Sequence, residues 1–224
     1  MHLAALTAYL QGLRENNAKG WFVMNKPAYD ILRDEFVTLV ADVIGRLGKV
    51  DPHIADVNAK KALFRIYRDI RFSNDKTPYK TRFSASLADG PAKHWGPMYY
   101  LSIDADAQLH LGAGCWMPPK DVLERLRRHA MDDPDALAKV LRGRKLKAAF
   151  GSLQVEDRMV RLPKVYDPTD PAVARAAEWL RHRSFVVSTD VDLDDKAEAE
   201  DLVHTIVSRL AAAVPLNDWL RSAP

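Results

Sequence analysis

The sequence predicts a single α+β domain over residues 1–224, with a mainly antiparallel β-sheet and helices packed on one face. Three observations lead to this prediction. Several stretches repeat apolar residues at helical spacing, five short stretches alternate apolar and polar residues, and turn-forming residues separate most of the short ones. With 224 residues, of which 47% are hydrophobic and 28% charged, the chain is long enough to bury a sizeable core.

The N-terminal helices are predicted from apolar residues that recur every three or four positions. The first helix carries four leucines on one face: Leu3, Leu6, Leu10 and Leu13. Residues 21–24 form a short apolar segment that we expect to dock on the core. A longer helix then runs from Asn25, a candidate N-cap, to Gly48, with Pro27 in the first turn where proline is tolerated.

Prolines predict where the helices of the second half begin and end. Three helices have a proline in or just before their first turn: Pro119, Pro134 and Pro171. The last long helix is predicted to begin near Asp194 or Asp195 and to end at Pro215, because proline disrupts a helix interior.

The sheet is predicted from five stretches with a period of two: residues 64–72, 82–88, 98–104, 108–114 and 184–190. A short polar segment separates the third stretch from the fourth, so these two form a predicted β-hairpin. Residues 88–97, which include His94 and Trp95, are expected to form a loop between strands. The glycines at 112 and 114 are expected to permit a bulge or a close backbone approach.

The stretch 60–82 stands out by its charge. It holds eight Lys or Arg and two Asp, a net charge of +6, whereas the whole chain carries only +3. Arg68 falls on the apolar face of the strand predicted here, so its guanidinium must pair with a carboxylate or carbonyls, or reach water or a ligand. Asp69 lies on the opposite face, where it is positioned to hold Arg71.

Arginine matches the planar geometry of phosphates and carboxylates, and lysine adds a mobile positive charge. We therefore predict a site for a small phosphorylated or carboxylated ligand, with seven members: Arg65, Arg68, Asp69, Arg71, Asp75, Lys76 and Tyr79. In this prediction the three arginines clamp the anion and Asp69 orients one of them. Lys76 adds charge, and Tyr79 offers a hydrogen bond or a stacking face.

Two alternatives remain open. A nucleic-acid-binding module would use residues 60–82 together with a second basic region, residues 120–147, and both would have to lie in one plane. A structural or partner-binding domain would use the Arg and Asp residues as an ion-pair network that folds the chain. The sequence establishes no reaction, substrate or cofactor.

The basic stretch also carries a resemblance to a known family. The pattern R-x-x-R-D-x-R-F-x-x-D-K-x-x-Y, from Arg65 to Tyr79, resembles the signature of an uncharacterised bacterial family, domain of unknown function 2461. The similarity extends to residues 16–22, 96–101 and 112–118, with Ala113 where we expect glycine. The resemblance implies one compact domain of about this length with the pattern as its hallmark, and it implies no activity.

The sequence lacks the features of several classes of protein: disulfide-rich, membrane-spanning, metal-binding and serine hydrolase. The single cysteine, Cys115, leaves no internal disulfide framework, suits a reducing compartment and is expected to be a buried apolar side chain rather than a nucleophile. No apolar run approaches the roughly 20 residues of a membrane span, and the N-terminus lacks the cationic start of a signal peptide, so we expect a cytoplasmic protein. The seven histidines show no metal-binding spacing, and the G-x-S-x-G motif of serine hydrolases is absent.

Overall fold

The computed structural model describes residues 1–88, 96–193 and 199–224. Within these ranges the chain forms four strands: β1 Arg82–Ala88, β2 Met98–Asp104, β3 Gln108–Cys115 and β4 Phe185–Asp192. They make one antiparallel sheet in the order β1-β2-β3-β4. The predicted α+β class and four of the five predicted strands are therefore confirmed.

Ten α-helices lie in the described ranges: α1 Leu3–Glu15, α2 Lys19–Met24, α3 Lys26–Leu47, α4 Ala59–Ala62, α5 Lys120–Asp132, α6 Pro134–Leu141, α7 Arg144–Phe150, α8 Pro171–Leu180, α9 Ala199–Ala211 and α10 Val214–Arg221. Four of these helices, α2, α4, α7 and α10, were not predicted as helices from the sequence. None of the helices in the described part of the chain is both long enough and apolar enough to cross a bilayer.

One compact unit of the chain comprises residues 1–87, 100–111 and 190–208. Here α1 and α2 pack against α3, and the predicted leucine face of α1 is buried. The rings of Tyr29 and Phe36 on α3 each meet the ring of Phe83 on β1 edge-on, with centroids 5.6 Å apart. Helix α3 therefore packs on the face of β1 that carries Phe83.

The second compact unit comprises residues 88–99, 112–189 and 209–224. In it α5 packs against α6 and α8, and α10 packs against α6. Gly114 on β3 has φ of +121°, and a Cβ atom there would lie 2.0 Å from the carbonyl oxygen of Phe185 on β4. The close backbone approach predicted from the glycines is thus confirmed at Gly114.

The strand predicted over residues 64–72 is wrong. Residues 63–81 form an irregular antiparallel hairpin, which we call the basic hairpin. An isolated bridge joins Tyr67 to Tyr79 within it, and a second joins Leu63 to Ala85 on β1. Between these bridges one arm advances four positions and the other six, so a continuous ladder cannot form. Hydrogen bonds between side chains and the turn backbone, from Lys76 to the Ile70 carbonyl and from the Thr77 N–H to Asp75, compete with regular strand pairing.

Two predictions about helix ends, at Pro215 and at Asn25, are wrong. Pro215 does not end the last long helix, which stops at Ala211, but lies in the first turn of α10, a position that tolerates its missing N–H. Asn25 makes no side-chain cap; its Nδ2 donates instead to the carbonyl of Trp21 at 2.9 Å. In the apolar segment 21–24, now part of α2, only Phe22 is fully buried.

Two predictions lie outside the described residues. One is the helix start near Asp194 or Asp195, and the other is the part of the predicted loop that contains His94 and Trp95.

Candidate functional site

The basic hairpin is anchored at its base by Tyr79. The ring of Tyr79 is buried, stacks on Phe22 of α2 with centroids 4.2 Å apart, and lies 5.3 Å from the ring of Tyr67. The side-chain amide of Asn17 accepts from the Tyr79 N–H at 3.0 Å and donates to the Tyr79 carbonyl at 3.0 Å. Through these contacts, Tyr79 attaches the hairpin to the core.

The partner of the Arg68 guanidinium is the carboxylate of Asp75, across the hairpin. Nη1 of Arg68 donates to Asp75 and to the hydroxyl of Thr77. Oδ1 of Asp75 also accepts from the N–H of Thr77 at 2.9 Å and from its hydroxyl at 2.8 Å. Hydrogen bonds from the Thr77 N–H and from Arg68 lower the pKa of Asp75 to about 2. Asp75 therefore links the two arms of the hairpin.

The tip of the hairpin is also held by local bonds. Asp69 binds Arg71 in a two-pronged pair, with Nε donating at 3.0 Å and Nη2 at 2.7 Å, and these bonds lower the pKa of Asp69 to about 2. The predicted pairing of Asp69 with Arg71 is confirmed. Nζ of Lys76 donates to the carbonyl of Ile70 at 3.0 Å. The neighbouring Phe72 is 96% exposed.

Arg65 differs from the other members of the predicted site. Five of those members bind one another, a neighbouring hydroxyl or the hairpin backbone: Arg68, Asp69, Arg71, Asp75 and Lys76. Tyr79 is buried in the core. Arg65 is exposed, and among the described residues its side chain has no hydrogen bond or ion pair. It is the member of the set most open to an external anion.

Lys80, which the sequence-based site did not include, lies near both Arg65 and Arg82. Burial, followed by the charges of Arg82 and Arg65, lowers the pKa of Lys80 from its usual value. Across the described ranges, none of these three cations has a carboxylate partner. We call Arg65, Lys80 and Arg82 the cationic cluster. Nζ of Lys80 lies 5.4 Å from the centroid of the Phe64 ring.

A shallow surface depression borders the cationic cluster. Arg82 and Phe64 line it together with Tyr29 and Arg33 of α3. Burial raises the pKa of Tyr29, and the nearby guanidinium of Arg33 partly opposes that rise. Arg33 itself lies 3.7 Å from Asp34. The depression thus adds a fourth cation, already paired, and a half-buried phenol to the surroundings of the cluster.

Not every cation of the second basic region, residues 120–147, lies on the protein surface. Arg127 is buried, donating to Glu124 at 2.9 Å and to the carbonyl of His182 at 2.9 Å. Glu124 also accepts from the hydroxyl of Tyr166 at 2.9 Å. At least one cation of this region therefore belongs to an interior polar network.

The described residues offer neither a reactive thiol nor a metal-binding cluster. Cys115 is buried, as predicted, and burial raises the pKa of its thiol to about 11, so it is protonated at neutral pH. Within residues 1–88, 96–193 and 199–224, no group of three or more His, Cys, Asp or Glu side chains is arranged to hold a metal ion.

Comparison with known proteins gives one match. A family model described as a conserved hypothetical protein, DUF2461, matches residues 5–219. No curated protein and no solved structure matches the chain. The matched range includes both the basic hairpin and Asn17, which binds it. The chain belongs to the family of conserved hypothetical proteins defined by domain of unknown function 2461.

Proposed function

We propose that this protein binds a small phosphorylated or carboxylated ligand at the cationic cluster. The observation that supports the proposal is the contrast within the basic hairpin. Arg68 and Arg71 each have a carboxylate partner, whereas the described residues offer none to Arg65, Lys80 or Arg82. Burial, and then the charges of Arg82 and Arg65, lower the pKa of Lys80. Holding this lysine charged beside two arginines raises the free energy of the unliganded protein, and a bound anion relieves that repulsion.

The cluster has donors suited to such a ligand. Two guanidinium groups provide forked N–H donors, and the ammonium of Lys80 provides a compact charge. Arg65 and Lys80 lie on opposite arms of the hairpin, and the bond from Arg68 to Asp75 links those arms. In this proposal Arg68, Asp69, Arg71, Asp75, Lys76 and Tyr79 shape the hairpin, and Arg65 of the predicted set contacts the anion.

A thermal-shift screen at low ionic strength tests the proposal. The panel contains inorganic phosphate, pyrophosphate, dicarboxylates, mononucleotides and short oligonucleotides. A ligand at 100 times its Kd adds about 2.7 kcal/mol to the free energy of unfolding, which raises the Tm by several degrees for a chain of this size.

The test variant is Lys80→Met, and the matched control is Lys139→Met at an exposed position on α6. We expect the shift to disappear in Lys80→Met and to persist in Lys139→Met. A panel without any shift, or a shift that both variants retain, would contradict the proposal.

The same screen separates the nucleic-acid alternative. Binding of nucleic acid predicts that only oligonucleotides shift the Tm and that their affinity falls steeply with salt. If the double variant Arg144→Gln and Lys145→Gln also weakens their binding, the second basic region contributes to the nucleic-acid site. Small anions acting through Lys80, with no effect of the Arg144 and Lys145 changes, support the small-ligand site.

A further inference from the structure

A row of rings crosses one face of the sheet and begins at the cationic cluster. The ring of Phe64, which lies next to Nζ of Lys80, is 6.1 Å from the ring of Tyr100 on β2. The ring of Tyr100 is in turn 5.9 Å from the imidazole of His110 on β3, in an edge-on contact. These contacts place the cationic cluster and His110 at the two ends of one continuous row.

The row ends in a paired histidine. Nδ1 of His110 lies 2.6 Å from Oδ1 of Asp190 on β4. The face that carries this pair is the polar one, since the neighbouring residues Leu109 and Leu111 point to the opposite, buried face. His110 and Asp190 are separated by 80 positions, so only the pairing of β3 with β4 brings them together.

The pairing determines which imidazole nitrogen is available. A carboxylate at Nδ1 favours the tautomer in which Nδ1 carries the proton and Nε2 has a free lone pair. Among the described residues Nε2 of His110 has no hydrogen-bond partner, and the side chain is 38% exposed. Nε2 is therefore positioned to accept a proton from a ligand or from water.

A neighbouring pair shows what an ordinary cross-strand contact looks like. Nε2 of Gln108 donates to Asp192 at 3.0 Å, between the same two strands. Such pairs add a modest increment to sheet stability, and a glutamine amide does not exchange protons as a base. The His110 pair differs in carrying a base and in being joined through Tyr100 and Phe64 to the cationic cluster.

We propose that His110 and Asp190 form an acid–base dyad that acts on the ligand whose anionic group binds the cationic cluster; this inference rests on the proposed function. Nε2 takes a proton from a ligand hydroxyl or a water and returns it in the reverse step. The Nδ1–H of His110 donates to Asp190 throughout, and the carboxylate stabilises the imidazolium. The partly exposed rings of Phe64 and Tyr100 favour a ligand that contains a flat ring, so adenosine monophosphate is the probe.

Nitrogen NMR of the histidine rings tests the dyad without any ligand. At mildly alkaline pH we expect the His110 imidazole to carry its proton on Nδ1 in the wild type, and to lose this preference in Asp190→Asn. Asp192→Asn is the matched control, because it removes the neighbouring carboxylate, and it should leave the tautomer unchanged. A wild-type His110 with its proton on Nε2 would overturn the dyad.

Carbethoxylation by diethyl pyrocarbonate, followed by mass spectrometry, tests the role of the dyad in the folded full-length protein. We expect His110 to react faster than the exposed His204, to slow to the rate of His204 in Asp190→Asn, and to be protected by adenosine monophosphate. In Lys80→Met we expect the protection to be lost while the reactivity remains.

The outcomes separate the two proposals. Protection that persists in Lys80→Met contradicts the cationic cluster as the anion site but leaves the dyad in place. A wild-type His110 that adenosine monophosphate does not protect overturns the placement of the ligand along the ring row. A His110 that reacts no faster than His204, with no effect of Asp190→Asn, overturns the dyad whatever the ligand does.

Discussion

The side chain of Asn17 binds both backbone groups of Tyr79. Its Oδ1 accepts from the N–H and its Nδ2 donates to the carbonyl, each at 3.0 Å, as a neighbouring strand would do. Because Tyr79 also stacks on Phe22 at 4.2 Å, the end of the basic hairpin is fixed both by hydrogen bonds and by ring packing. The N-terminal and hairpin stretches that resemble the family therefore form one structural arrangement.

We predict that Asn17→Asp lowers the free energy of unfolding by about 1–3 kcal/mol, because a carboxylate cannot donate to the Tyr79 carbonyl and leaves that group unpaired. Asn16→Asp is the control, since the Asn16 amide donates only to the exposed carbonyl of Gly12 at a helix end. Denaturant unfolding measures both. Equal losses in the two variants would show that the contact with Tyr79 is not stabilising.

Arg68 and Arg71 provide a second comparison, because both bind a carboxylate of the hairpin but differ in exposure. The side chain of Arg68 is 26% exposed and links two arms, whereas that of Arg71 is 76% exposed and pairs with Asp69 two positions away. We expect Arg68→Ala to reduce the free energy of unfolding by about 1 kcal/mol and Arg71→Ala to reduce it by less, because solvent screens the exposed Arg71 pair. A larger loss for Arg71→Ala in denaturant unfolding would contradict this assignment.

The periodicity of the sequence predicted most of the fold, and the exception has a physical cause. Helical spacing located α1, α3 and α8, and alternation located the four strands of the sheet. Alternation also occurs in residues 64–72, but there the unequal advance of four and six positions between bridges prevents a ladder. A period of two describes one arm only and contains no information about the opposite arm.

The candidate site was predictable only in part. The need of the Arg68 guanidinium for a polar partner and the pairing of Asp69 with Arg71 followed from which side chains share a face. The partner Asp75 depends on the turn, and the closeness of Lys80 to Arg65 depends on the irregular register, so neither could be derived from local pattern. Pairs such as His110 with Asp190 require the strand register across 80 positions.

We predict that Lys80→Met raises the Tm of the unliganded protein at neutral pH. Burial and the two neighbouring arginines lower the pKa of Lys80 below its usual 10.5, so below that lowered pKa the folded state carries the full penalty of the buried charge. The penalty fades as the pH rises toward 10.5, where the unfolded chain also loses the proton. Melting curves at neutral and alkaline pH should therefore converge for wild type and variant; a variant less stable at neutral pH would contradict this reasoning.

Acid sensitivity gives a fourth prediction. The pKa of Asp75 is lowered from 3.8 to about 2, so its stabilising contribution is present above 3.8 and is lost as the pH falls toward 2. We expect Asp75→Asn to lose less stability than the wild type across this pH range. Asp42→Asn, at an exposed position on α3, controls for the removal of one carboxylate. Parallel stability curves for Asp75→Asn and the wild type would show that the folded protein does not lower this pKa.

Gly114 gives the sharpest stability prediction. An alanine at this position would have to adopt a φ of +121°, and its Cβ atom would lie 2.0 Å from the carbonyl oxygen of Phe185. We therefore expect Gly114→Ala to lower the free energy of unfolding by at least about 3 kcal/mol. Gly45→Ala is the matched control, because nothing lies within 4 Å of a Cβ atom at that exposed helical position and alanine favours a helix by about 0.5–1 kcal/mol. Denaturant unfolding should move the two variants in opposite directions, and a mild effect at Gly114 would contradict the close approach.

The proposed anion site is best examined through the ε-amino group of Lys80. Carbon NMR of labelled lysine side chains follows its titration alone, with pyrophosphate and with succinate, while the exposed Lys139 serves as the internal control. We expect Lys80 to titrate below the usual value of 10.5 in the free protein and its pKa to rise when one of the anions binds, while the side-chain signal of Lys139 does not respond to the anion. A folded protein in which neither anion changes the titration of Lys80 would contradict an anion site at Arg65, Lys80 and Arg82.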